Sequence, residues 1–70
     1  MKIKCVLIDD EPLATKILQN YFTNFPDFEI IGTFHNSIEA LEFINNNTID
    51  IIFLDIHMPL MTGFELIRLI

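Results

Sequence analysis

Ile49–Gly63 reads IDIIFLDIHMPLMTG. An apolar run, Ile51-Ile52-Phe53-Leu54, stops at a single carboxylate, Asp55. A short run rich in Ile and Phe has the pattern of a strand buried on both faces, here Ile49–Leu54. Asp55 then stands at the carboxyl end of an interior strand. In open α/β sheets, ligands and chemistry collect at that edge. Pro59 and Gly63 are turn residues, so the chain passes into a loop soon after Asp55.

Upstream, Ile3–Ile8 gives a first strand, cut off by Asp9-Asp10-Glu11. Pro12 suits the first turn of a helix. Leu13, Ala14, Ile17, Leu18, Tyr21 and Phe22 come next at helical spacing, which predicts one apolar face. Asp10 or Glu11 is expected to cap that helix or favour its positive end. After a loop at Phe25-Pro26-Asp27, FEIIGTF (Phe28–Phe34) reads as a second strand. Gly32 within it predicts a bend or a close backbone approach. His35-Asn36 is a short connection, and Ser37 is the expected N-cap of a second helix. Ile38, Leu41 and Ile44 should line that helix's inner face, with Glu39 and Glu42 pointing away. Asn45-Asn46-Asn47 ends it. Downstream, Thr62-Gly-Phe-Glu65 fits the S/T-x-x-E capping box, so a third helix is expected to begin there.

The order is β-α-β-α-β, then the start of a third helix. Alternating strands and helices imply a parallel sheet. Right-handed crossovers leave few arrangements. The expectation is an α/β, flavodoxin-like three-layer fold with strand order 2-1-3 and the first strand central. The first helix should lie on one face, the second and third on the other. Strands one and three become neighbours, about 4.8 Å apart. Their carboxyl ends carry Asp9-Asp10 and Asp55, so three acids converge on one edge.

Composition narrows the setting. Seventy residues hold one small domain at most, with a marginal core. The single cysteine, Cys5, allows no internal disulfide and lies in an apolar run, where a small core residue is expected. The charge of −6 argues against direct contact between this segment and nucleic acid or an anionic membrane. Apolar stretches are too short for a membrane span, and the amino terminus lacks a signal peptide's long apolar centre. A cytoplasmic, reducing location is expected. No stop signal comes after Leu66–Ile70, so the sequence reads as the first part of a longer domain.

Two carboxylates about 5 Å apart, at an effective dielectric near 20, repel by roughly 3 kcal/mol. A proton relieves this by raising one pKa. A hard divalent cation relieves it better. Mg²⁺ takes oxygen ligands and often uses only one or two carboxylates. A carboxylate on an exposed strand end is also placed to attack phosphorus. The simpler readings are a capping role for Asp10-Glu11 and a turn role for Asp55. Asp50 reads as a polar strand start. His35, His57 and Cys5 lack metal-ligand spacing with one another.

VLIDDEPLA together with IIFLDIHMPLMTGFEL resembles the receiver domain of bacterial two-component response regulators. The likeness runs in register along the chain: the acidic pair after strand one, the Asp after strand three, then M-P and G-F-E-L. DDEPLA with LDIHMP further resembles regulators that carry a LytTR-type DNA-binding domain. The resemblance implies that Asp55 accepts a phosphoryl group from a histidine kinase. It implies Mg²⁺ held by Asp10 and Asp55, by Asp9 through water, and by the backbone carbonyl of His57. It implies a switch with a transcriptional output, not an enzyme, with DNA contacted by a separate C-terminal domain. It also implies two more strands and two more helices than residues 1–70 contain, including a lysine and a hydroxyl residue that touch the phosphoryl group. Residues 1–70 alone are therefore expected to be poorly active. Strand three would be an open apolar edge, which predicts self-association.

Two other readings compete. The same half-sheet could serve only as a dimerisation module, its acids idle. A phosphatase or phosphotransferase using Asp55 would need a second acid two residues on, and His57 stands there.

Overall fold

A computed structural model describes residues 2–55 of the chain. The loop at Pro59 and Gly63, His57, and the third helix expected from Thr62 lie outside the described residues. Within them the order is β1 (Ile3–Ile8), α1 (Pro12–Phe22), β2 (Phe28–Phe34), α2 (Ser37–Asn45) and β3 (Ile51–Leu54). The sheet is parallel with order β2-β1-β3. β1 is central because it is apolar on both faces, and Cys5, Val6, Leu7 and Ile8 are buried.

The two faces of β1 take different partners. Val6 and Ile8 form a core with Ala40 and Ile44 of α2, joined by Ile52 and Leu54 of β3. On the opposite face, the Phe22 ring of α1 lies 5.1 Å from Phe53 and 5.3 Å from Phe28. The helices thus cover opposite faces, as right-handed crossovers from a central strand require. Cys5 sits fully buried, as its run implied. Burial, then the Asp50 charge, push its thiol pKa up, which keeps it unreactive.

Gly32 marks both a bend and a close approach. β1 pairs Cys5 with Ile30 but Val6 with Gly32, so Ile31 is the extra residue of a bulge. A Cβ at Gly32 would stand 2.8 Å from the Phe34 ring and 3.2 Å from Phe43.

Several local expectations are corrected. α1 does not present one apolar face. Ala14, Leu18 and Phe22 turn inward with buried Thr15, while Leu13, Ile17 and Tyr21 form an outward stripe about 60% exposed. Its two apolar stripes are each spaced four residues apart, and one sheet face can cover only one of them. Ile38 is likewise exposed, and Ala40 takes the inner position beside Ile44. Neither Asp10 nor Glu11 caps α1 with its side chain. Glu11 occupies the N-cap position, and the Asp9 Oδ1 accepts the Glu11 N–H at 2.9 Å. Asn36, not Ser37, caps α2. Its extended backbone lets Oδ1 accept the Glu39 N–H at 2.9 Å, and Ser37 is buried as the first helical residue.

β3 begins at Ile51, later than Ile49, and is half-buried, not buried on both faces. Among the described residues it has a strand neighbour on one side only. Asp50 does more than start it. Its N–H donates to the Lys4 carbonyl at 2.9 Å, and its Oδ2 accepts the Lys4 N–H at 2.8 Å.

Candidate metal and phosphoryl site

Two backbone bonds carry the sheet ladder one residue beyond the strand ends. The Asp9 N–H donates to the Phe34 carbonyl at 3.0 Å, and the Asp55 N–H donates to the Ile8 carbonyl at 2.9 Å. Asp9 and Asp55 are therefore placed by the sheet ladder, with Asp10 next to Asp9 in the bend that follows β1. Asp9, Asp10 and Asp55 each bring a carboxylate oxygen to within 4.8 Å of the others. Asp9 and Asp55 are half-buried and Asp10 is exposed. A cavity of about 320 Å³ opens beside them, walled by Leu7, Leu18 and Phe53 as well as Asp9 and Asp55.

The electrostatics agree with the geometry. The Asp10 carboxyl is pushed above its ordinary range by desolvation, then by the Asp55 charge, a shared hydrogen bond with Asp55, and Asp9. Asp10 is exposed, so the like charges are the part that matters physically.

The donor set fits a small hard cation. Carboxylate oxygens around Mg²⁺ stand at roughly 2.1 Å from the metal, hence up to about 4.2 Å apart across it. The trio's carboxylate oxygens, all within 4.8 Å of one another, are close to that spacing. All three acids named from sequence are brought together. His57 lies outside the described residues.

His35, read from the sequence as part of a short connection, also touches the site. The His35 Nδ1 lies 3.0 Å from the Asp9 carbonyl oxygen. Its position, directly after β2 and so at the same edge as Asp9, was the available signal. Polar residues at the carboxyl ends of adjacent parallel strands meet regardless of their separation in sequence.

A parallel 2-1-3 sheet with an acidic trio at its carboxyl edge defines a flavodoxin-like domain of the receiver type. The chain belongs to the response regulator receiver domain family, whose model matches residues 5–70. It is 41% identical to an uncharacterized response regulatory protein of Shewanella oneidensis, over 97% of this chain and 29% of that protein. It is 35% identical to the transcriptional regulatory protein BtsR of Escherichia coli, over 97% of this chain and 28% of that one. A protein-glutamate methylesterase/protein-glutamine glutaminase of Pyrococcus horikoshii is 33% identical over 99% of this chain and 19% of its own length. Among solved structures, the REC domain of AraT, a response regulator from Geobacillus stearothermophilus, superposes with TM-score 0.81 at 27% identity. That match covers 97% of this chain and 54% of that one. The chain thus spans less than a third of the curated relatives it matches.

Proposed function

We propose that this chain is the amino-terminal part of a receiver in which Asp55 accepts a phosphoryl group from a histidine kinase. The observation that carries this is the convergence of Asp9, Asp10 and Asp55 at one sheet edge. Asp10 and Asp55 would hold Mg²⁺ directly, Asp9 through water, and the His57 carbonyl would add a ligand. When bound, the cation neutralises charge on the transferring group. The Asp55 carboxylate oxygen attacks phosphorus, the N–P bond of the donor phosphohistidine breaks, and its electron pair returns to the imidazole nitrogen, which takes a proton. Asp55 is thereby consumed as an acceptor, so the chain is a switch and not a turnover catalyst.

Lys2 and Lys4 belong to the far end of β1, away from the acids, and Lys16 lies on α1. No described lysine stands ready to contact the phosphoryl group. Charge-assisted contacts are the strong ones, so phosphotransfer to residues 1–70 alone should be slow. We assign the transcriptional output, of the LytTR type, to a segment beyond these residues, and the location to the cytoplasm. Among the described residues no helix is long and apolar enough to cross a membrane.

The test is incubation of a longer chain, carrying the further strands and helices of a complete receiver after residue 70, with acetyl phosphate and Mg²⁺, read by intact mass. A base-labile gain of one phosphoryl group, absent in Asp55→Asn, is expected. No adduct under any condition in a folded sample would favour the dimerisation module instead. Self-association through the outer edge of β3 is part of the same reading. Sedimentation should show association at micromolar concentration, and a stable folded monomer there would remove it.

A further inference from the structure

We propose that His35 is a positioning residue for the acidic site, acting through the backbone of Asp9. This rests on reading the trio as a Mg²⁺ site. His35 is exposed in the connection between β2 and α2, where the fold itself demands no imidazole. Its Nδ1 nevertheless lies 3.0 Å from the Asp9 carbonyl oxygen. A carbonyl oxygen only accepts, so Nδ1 carries the proton and the ring is held in one orientation. The residue before it, Phe34, accepts the Asp9 N–H at 3.0 Å. Consecutive residues at the end of β2 therefore hold both backbone polar groups of Asp9.

The carbonyl is the informative half. The Asp9 oxygen belongs to the planar peptide unit that joins Asp9 to Asp10. Fixing that oxygen fixes the plane, and with it the direction in which the Asp10 backbone departs. The next link is fixed as well, because the Asp9 Oδ1 accepts the Glu11 N–H at 2.9 Å. Asp9–Glu11 is thus pinned from β2 on one side and by its own turn on the other. Mg²⁺ demands near-ideal octahedral geometry, so the angle between the Asp9 and Asp10 carboxylates matters to it. His35 brings no ligand atom to the trio; its effect passes through the peptide plane.

The experiment compares wild type, His35→Ala and His35→Asn in three measurements. These are Mg²⁺ affinity by calorimetry, amide hydrogen exchange at Glu11 without metal, and the melting midpoint. An Asn carboxamide N–H can donate from nearly the same place as Nδ1. Residues that orient ligands commonly change metal affinity 10–100-fold, and an exposed bond acting through backbone should give about 3–10-fold weakening in His35→Ala. His35→Asn should return to near the wild-type affinity, Glu11 exchange should quicken only in His35→Ala, and all three melting midpoints should agree. Equal Mg²⁺ affinity and equal exchange in His35→Ala would overturn the proposal. So would an Asn variant as weak as the Ala variant, or a loss that tracks a fall in melting midpoint. If the wild type bound no Mg²⁺, the metal reading would fall, while Glu11 exchange would still decide whether His35 holds the Asp9 turn.

Discussion

Asp10 carries a cost that its neighbours impose. Its folded-state pKa is raised, so the folded chain holds a proton that the unfolded chain releases. A raised carboxyl destabilises the fold above its folded pKa, and that penalty disappears as pH falls to the ordinary value. In metal-free buffer at neutral pH, Asp10→Asn should therefore melt higher than wild type. The gap should narrow as pH is lowered through the raised Asp10 pKa and vanish below about 3.9, the ordinary Asp value. Thermal melts across that range check the sign, and a gap that widened toward acid would refute it. At Gly32 the constraint is steric. Two rings lie within 3.2 Å of where a Cβ would go, and Phe34 packs against Phe43 at 5.1 Å. Overpacking of this kind costs about 1–3 kcal/mol. Because the Phe34 ring end can move somewhat, Gly32→Ala should fall in the lower half of that range by urea denaturation.

At the scale of elements, the chain's legibility tracked its physics. β1 and β2 were readable to the residue, because Asp9 interrupts one apolar run and His35 the other. Asp55 and Asp9-Asp10 were readable as neighbours at one sheet edge because each stands where an apolar run ends. Helix faces were harder. α1 has apolar residues on two sides, and periodicity does not say which stripe meets the sheet. Thr15 decided it, yet a threonine is not scored as a core residue. Its hydroxyl is satisfied by donating to the Pro12 carbonyl at 2.9 Å, which permits burial. The α2 cap was missed by one residue for a similar reason. Asn36 and Ser37 are both good caps, and the extended backbone of Asn36 (φ −147°, ψ 155°) selects it. Asn36→Ala should therefore cost about 0.5–2 kcal/mol. Asn36→Ser should cost little, and equal losses in both would mean that Asn36 acts by something other than capping.

For the whole molecule, the acids and the marginal core are one problem. A 70-residue chain with charge −6 concentrates three of its carboxylates at one edge of its sheet. Anything that binds the folded trio and not the unfolded chain stabilises the fold by mass action. At a hundred times its dissociation constant, Mg²⁺ would add about 2.7 kcal/mol, roughly 10–20 °C in melting temperature for a domain this small. General screening is a different effect. It weakens repulsion among exposed charges whichever salt is used. The discriminating comparison is therefore MgCl₂ against NaCl at equal ionic strength, in wild type and in Asp55→Asn. Specific binding predicts a large rise with MgCl₂ in wild type, a small rise with NaCl, and a MgCl₂ rise in Asp55→Asn no larger than the NaCl one. Equal rises with the two salts in wild type would mean that the edge acts as a diffuse negative surface, and the acidic trio would lose its standing as a metal site.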